Sequence, residues 1–543
     1  MKKIILVVAL IGWASICTFG QKVPIDLILL NGKIFTSDVT QPNAEAIAIR
    51  GKRISAVGST DEIKKLGSAK TRLIDLQGRI VVPGFNDAHF HFSPDPKGFQ
   101  LQFKMLEPTW AETLETIKNA VSESPKEQWV FGSIGNNVLS DKTADRFALD
   151  QIAPNHPVLL RAYYGHGYIV NSKAMPLLQI AEEEPDPQGG YFERTANSKK
   201  INGRFWEYAE WKPSRILAEQ VSDADAITEL KKMADEAIGF GITSMQIMSW
   251  MPVDRFAKLL ARADLPIRVR AIPFAMTTLT ERDLSEFQTL SKLNFSNSKV
   301  KVSGIKWILD GTPFEHGAAL LQPYNDRPDW SGKLNFPESE IVKMVKESLR
   351  FNQQILFHCA GDRSAEAVLD ALEQVKNVDW KTKRVRIEHG DGVSSDLIAR
   401  AKKLGVIIVQ NPTHFSLVDM YYARYSPQTA FFPFRSLIEA GIPVAIGSDG
   451  PMNPFLNIML AAIHPARPSE AITREQAVKA YTSGSAFAEF AENEKGTLMK
   501  GKLADLAVLS QDIFAAQMPE LPKTNSVLTI ADGKIVYDAK VLK

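Results

Sequence analysis

Residues 80–92 read IVVPGFNDAHFHF. An apolar, β-branched run passes a Pro83-Gly84 break and ends in two histidines, His89 and His91, one residue apart. On an extended strand, residues two apart project to the same face, so both imidazoles point at one spot. Imidazole is the commonest protein ligand for zinc and related ions, and two of them make half a site. A metal reading therefore requires more ligands, at the ends of other strands.

Working outward, short buried-looking strands alternate with helical patterns, which argues for a parallel sheet or barrel. The strands are 80–91, 241–248, 266–274, 302–311, 354–362, 385–390, 405–415 and 443–450. Helices are expected at AITELKKMADEAIGFG before the second, SAEAVLDALEQVK after the fifth and SDLIARAKKLG after the sixth. Eight strand–helix units predict an α/β fold, a (β/α)8 TIM barrel over 83–489, with its chemistry at the C-terminal strand ends. An insertion at about 93–225, with strand-like runs at 129–135 and 157–170, is expected to lie over the barrel mouth; its own fold is not legible.

Toward the termini, 25–82 reads as short apolar runs broken by Asn31-Gly32, Gly51 and Gly78, a small antiparallel β unit. The tail, GTLMKGKLADLAVLS (496–510) and SVLTIADGKIVYD (526–538), resembles it. The two halves, 21–82 and 490–543, are expected to pair into one composite β-sandwich.

Composition limits the function classes. Lys plus Arg number 64 against 62 Asp plus Glu, which leaves no electrostatic case for nucleic acid. Residues 1–20, MKKIILVVALIGWASICTFG, join two lysines to an apolar stretch ending among small residues, as a secretory signal peptide does. Cleavage near Gly20 would make the protein periplasmic or extracellular; an uncleaved membrane anchor is the alternative. The remaining lone Cys359 cannot form an internal disulfide. The expected partner is a small-molecule substrate, with a homo-oligomer left open and no stable membrane span after cleavage.

At the strand ends the first strand offers His89 and His91, the fourth Lys306, the fifth His358, the sixth His389 and the eighth Asp449. Singly, each has a plain structural reading: a hydrogen-bonded rim histidine, a solvated lysine or partner of Asp310, a turn-shaping aspartate. Together, at the same end of one barrel, they point to a divalent metal. Zinc suits histidines with carboxylates; manganese, iron and nickel fit the same donors.

Here the chain resembles the amidohydrolase superfamily, in its family 3 branch, which includes N-substituted formamide deformylase-like enzymes. The resemblance is carried by PGFNDAHFHF, YYGHGYIVNSKAM, GIKWILDGT, HCAGDRSAEAVLDALE, RVRIEHGD, FPFRSLIEAGIPVAIGSDGP and GTLMKGKLADLAVLS, nearly the whole chain past residue 20. It implies that His89 and His91 bind one metal and His358 and His389 a second. It implies a carboxylated lysine at Lys306 bridging the two; an unmodified Lys306 would leave one ion. Asp449 matches an aspartate that binds metal and moves protons.

A divalent ion lowers the pKa of bound water toward neutrality and polarises a carbonyl. Asp449 would take the water's proton and pass it to the leaving nitrogen. The expected reaction is hydrolysis of a non-peptide carbon–nitrogen bond in an amide, formamide or cyclic amide. An esterase, a deaminase and an exported metal-binding protein without turnover are the rivals. His166, His414 and Glu207 are candidate substrate contacts, each with a structural alternative in its own loop or helix. Asp87 is expected to orient the site from behind, and Cys359 to be a buried, inert thiol.

Overall fold

The computed structural model describes residues 24–293, 295–425 and 430–542. The expected leader, residues 1–20 with Cys17, lies outside them.

The middle of the chain carries β1 (Phe85–His91), β2 (Ile242–Ser249), β3 (Arg268–Pro273) and β4 (Ile305–Ile308), then β5 (Ile355–Cys359), β6 (Arg386–His389), β7 (Ile407–Gln410) and β8 (Val444–Ile446). Most are short and buried along their whole length, as parallel strands covered on both faces should be. β1, β2 and β3 lie side by side with Val300–Val302 outermost, and β4 to β8 form a second parallel sheet in chain order.

The two sheets meet at both edges. At one, the Ala275 amide donates to the Lys306 carbonyl at 2.9 Å, beside a parallel bridge between Phe274 and Lys306. At the other, the Asp449 amide donates to the His89 carbonyl at 3.0 Å and the Ser448 amide to Asp87 Oδ1 at 2.9 Å. One apolar core joins the strands to their helices, through Ile247, Ile272, Trp307, Phe357 and Ile446 among others.

The expected helices form at Asp223–Gly239, Asp362–Gln374 and Ser395–Leu404. Ser222 caps the first through the Asp225 amide, and Gly405, at φ 68°, closes the third.

Two runs read as single strands are each divided. Ile80–Pro83 pairs antiparallel with Leu506–Leu509, and only from Phe85 does the chain join the parallel strands. Pro83 brings no amide to a ladder, and the Gly84 amide still donates to Asp505 before the chain changes sheets. The run 302–311 breaks at Gly304, where φ of 85° turns the backbone from the edge of β3 into β4. Apolar alternation continues across both breaks, so periodicity alone does not reveal them.

The N-terminal unit is mixed rather than antiparallel. Leu27–Leu30 runs parallel to Arg72–Asp75, and Lys33–Phe35 parallel to Ile80–Pro83, because the helix Thr60–Lys64 provides a crossover. One six-stranded sheet takes strands from both chain ends, Lys33–Phe35, Asn43–Ala44 and Ile80–Pro83 from the first, Leu506–Leu509, Ser526–Ala531 and Lys534–Asp538 from the last. Leu29, Ile47, Ile74, Val81, Val508 and Ile530 share one core between this sheet and its four-stranded neighbour.

The insertion builds a six-stranded sheet ordered Gly190–Arg194, Ile201–Glu207, Tyr168–Val170, Val158–Ala162, Trp129–Ile134, Gly98–Gln100. Residues 157–170 are an antiparallel hairpin rather than one strand, and His166 sits in its turn. The sheet meets the parallel strands where the Ile308 amide donates to Tyr208 Oη at 3.1 Å. Among the described residues no helix is long and apolar enough to cross a membrane.

Candidate active site

Strand β1 ends by placing His89 and His91 with their Nε2 atoms 3.1 Å apart. His89 is sealed from solvent, and its Nδ1 donates to Glu388 Oε2 at 2.6 Å, which leaves Nε2 as the lone-pair nitrogen. Glu388 is held by Arg386, two residues back on the same face of β6, at 2.7 Å. Burial lowers the His89 pKa to about 4, and the Lys306 charge adds to the effect, so the ring is neutral at pH 7. The His91 ring stacks on Phe274, with centroids 5.6 Å apart.

His358 and His389, at the ends of β5 and β6, have ring centroids 4.5 Å apart, and His389 lies 4.9 Å from His89. His389, at φ 66°, donates from Nδ1 to Asn411 Oδ1 at 2.9 Å, which again bares Nε2. Burial pushes both rings well below the usual imidazole range.

Asp449 follows β8 at φ 48°; its Oδ1 is 3.2 Å from His91 Nε2 and its Oδ2 is 3.5 Å from His414 Nε2. Burial alone would raise its carboxyl, but His89, His414 and His91 hold it well below the carboxylate range. Ligand atoms of His89, His389 and Asp449 lie within 4.8 Å of one another. Lys306 is buried, and its Nζ finds no hydrogen-bond partner among the described residues. Burial lowers its pKa to about 8.

Residues 72–537 of the sequence match the amidohydrolase family. The chain belongs to that family. An N-substituted formamide deformylase of Arthrobacter pascens is 26% identical over 541 residues, spanning 94% of this chain and 98% of that one. Two solved structures, described as uncharacterized metal-dependent hydrolases from Pyrococcus horikoshii and Pyrococcus furiosus, superpose with TM-scores of 0.70 and 0.69 at 20% and 23% identity. They cover 91% and 90% of this chain and 99% of each of their own. This amidohydrolase therefore has a TIM-barrel-type α/β fold and is a metal-dependent hydrolase acting on carbon–nitrogen bonds.

The residues of the amidohydrolase fit a divalent ion. Two imidazoles turn bare nitrogens inward, a carboxylate lies among them, and both His91 Nδ1 and Lys306 Nζ are buried without partners. The structure brings His89, His91, His358, His389 and Asp449 to one end of the parallel strands; Lys306, expected at the end of β4, is instead its second residue, level with Leu356 rather than His358, and its charge reaches His89 and His358 from below.

The three expected substrate contacts divide between two flanks. His414 bridges Asp449 and Asp391, with Nδ1 3.5 Å from Asp391 Oδ2. Burial would lower its pKa, but Asp391 and Asp449 bring it up to about 10. His166 lies on the opposite flank, 5.0 Å from the His358 ring, with Nδ1 2.9 Å from Glu207 Oε1. Its pKa is raised to about 9, Glu207 outweighing the effect of burial. Glu207 ends a strand of the insertion at φ 56° and takes a second bond from Asn335 Nδ2 at 2.8 Å.

Asp87 sits behind His89: its Oδ1 accepts the His89 and Ser448 amides, tying the end of β1 to the end of β8. Burial pushes the Cys359 thiol well up, as suits an inert side chain.

Glu388, Asn411, Asp391 and Glu315 escape the sequence reading. Glu388 had a signal: in VRIEHG, Arg386 and Glu388 stand two apart on a strand and so share a face, where opposite charges pair. Asn411 and Asp391 reach their partners across 22 and 23 residues through loop geometry that spacing does not encode, whereas Glu315 accepts from the amide and hydroxyl of Thr312 in a Thr-x-x-Glu pattern that the sequence does carry.

Proposed function

We propose that this amidohydrolase hydrolyses a non-peptide carbon–nitrogen bond in an amide, formamide or cyclic amide, with Asp449 as the proton carrier. The observation that carries the reading is the convergence of His89, His389 and Asp449, with the Asp449 carboxylate held between His91 and His414. A divalent ion bound there, zinc first by donor type, would acidify water and polarise the scissile carbonyl.

Each residue then has a task. His89, His91, His358 and His389 hold metal. Glu388 and Asn411 fix the tautomers of His89 and His389. Asp449 accepts a proton from water at Oδ and returns it to the leaving nitrogen; His414, kept cationic between Asp391 and Asp449, holds that carboxylate ionised and faces the substrate. His166 and Glu207 meet the substrate from the insertion side.

Lys306 is read as carboxylated. A buried ammonium with no partner costs several kcal/mol, whereas a carbamate would turn that group into an anion able to ligate between the two histidine pairs. An unmodified Lys306 goes with a single ion.

The architecture supporting this is read as a closed (β/α)8 barrel over 83–489, a composite sandwich from 21–82 and 490–543, and the insertion 93–225 over the mouth. The hydrogen bonds at both sheet edges and the core shared by the terminal sheets support it. Residues 1–20 are read as an export signal, giving a periplasmic or extracellular enzyme. Mass spectrometry of the mature N-terminus tests that, and an intact Met1 would defeat it.

The reaction is tested with a panel of N-formyl, N-acyl and cyclic amides after zinc or manganese reconstitution. Release of amine together with formate or carboxylate is expected. A fully metallated enzyme that turns over none of them overturns the reading.

A further inference from the structure

We infer that His166, Glu207 and Glu315 form a second cation site, for a divalent metal ion, on the insertion side of the histidine centre. This goes beyond the proposed reaction: the two residues given there to substrate would meet it through a bound ion.

The geometry comes first. One ligand atom from each of the three lies within 4.8 Å of the other two. His166 and Glu207 are buried, and Glu315 is half-buried. They come from three separate parts of the fold: a hairpin turn, the last residue of an insertion strand, and the loop after β4. The space between the carboxylates is kept open by Gly311. A Cβ there would stand 2.4 Å from Glu315 Oε1 and 2.8 Å from Glu207 Oε1.

Charge is the second observation. Glu210 is wholly buried beside Glu207; its Oε1 accepts the Glu207 amide at 2.9 Å, and its Oε2 has no partner among the described residues. Three carboxyl groups therefore gather around one imidazole. Among the described residues no lysine or arginine forms an ion pair with Glu207, Glu210 or Glu315; the one cationic partner is His166 itself. His166 alone does not keep all three ionised: burial pushes the Glu210 carboxyl well above the carboxylate range and Glu315 up to about 7. A divalent cation would replace the His166 proton, released to solvent, and neutralise the carboxylates; one neutral imidazole with two or three carboxylate oxygens is a donor set that suits Mn2+ or Zn2+. The site would lie beside the histidine centre, since the His166 and His358 rings are 5.0 Å apart, but it shares no ligand with it.

Crystals of the full chain soaked in Mn2+ test this by anomalous diffraction. The expected result is a peak among His166, Glu207 and Glu315, separate from any peak among His89, His91, His358, His389 and Asp449. Glu315→Gln should then lose that peak and one metal equivalent per chain, while the histidine centre keeps its own. The inference is overturned by wild-type density confined to the histidine centre at saturating Mn2+. It is equally overturned by a Glu315→Gln protein that keeps every equivalent, or by an ammonium-bearing product seated on the three residues in place of an ion. A peak on these three with none at the histidine centre would uphold the inference and defeat the metal reading of the proposed reaction.

Discussion

The histidine centre and the His166–Glu207 flank stand side by side, yet they are built differently. The centre hangs from the ends of parallel strands: His89 and His91 on β1, His358 on β5, His389 on β6. Each strand is fixed by neighbours on both sides, so backbone register places those rings, and Glu388 and Asn411 orient two of them. The flank hangs from a hairpin turn and from a strand end whose backbone leaves the extended region at φ 56°. Its geometry is kept by side chains instead, through the His166–Glu207 pair and Asn335. The contrast teaches that charge neutralisation works in opposite senses in the two places. In the centre, burial keeps histidines neutral and free to ligate; on the flank, a carboxylate keeps its histidine charged.

The largest effect expected from this contrast is at the centre's proton carrier. Asp449→Asn should lower kcat by about 10^2- to 10^4-fold, measured under metal saturation; a loss of less than about tenfold would remove Asp449 from proton transfer. Next comes the support behind the metal. Glu388→Gln should weaken metal binding by about 10- to 100-fold, read by competition with a chelator, since His89 loses the carboxylate that fixes its tautomer. Unchanged affinity would mean that strand register alone orients the ring.

A smaller effect is expected on the flank. Glu207→Gln should reduce kcat/KM by roughly tenfold, about 1.4 kcal/mol, without loss of metal from the histidine centre. Metal loss there would break the division between the two regions.

The smallest effect is in stability. His166 has its folded pKa raised from 6.5 to about 9, so the pair's contribution is fully present below about pH 6.5 and lost as pH rises through 9. The melting temperature of the metal-free protein should therefore fall by roughly a few degrees between pH 6.5 and 9.5, and Glu207→Gln should flatten that dependence. An equal fall in the variant would assign it to other groups.

Much of the centre was legible because strand chemistry is local. His-x-His on one face, a histidine ending LFHCAGD, another in RIEHG and an aspartate in GSDG are all readable as strand ends without knowing which strands touch. The breaks at Pro83-Gly84 and Gly304 were not, because apolar alternation runs through them while pairing changes sheets. Asn411 and Asp391 stayed hidden for a related reason: each is an ordinary loop residue until the fold carries it to a ring nitrogen.

By itself the sequence determined the type of element, the faces of the strands and the kinds of donor at their ends, since these depend on residue spacing of two and on side-chain chemistry. Only the tertiary structure decided which donors meet. Complete burial, with 0% exposure, and a carboxylate 2.6 Å away make His89 a neutral, oriented ring. The same kind of burial beside Glu207 makes His166 a cation. An imidazole's charge is set by what surrounds it in space, and that surrounding comes from residues as far as 299 positions away.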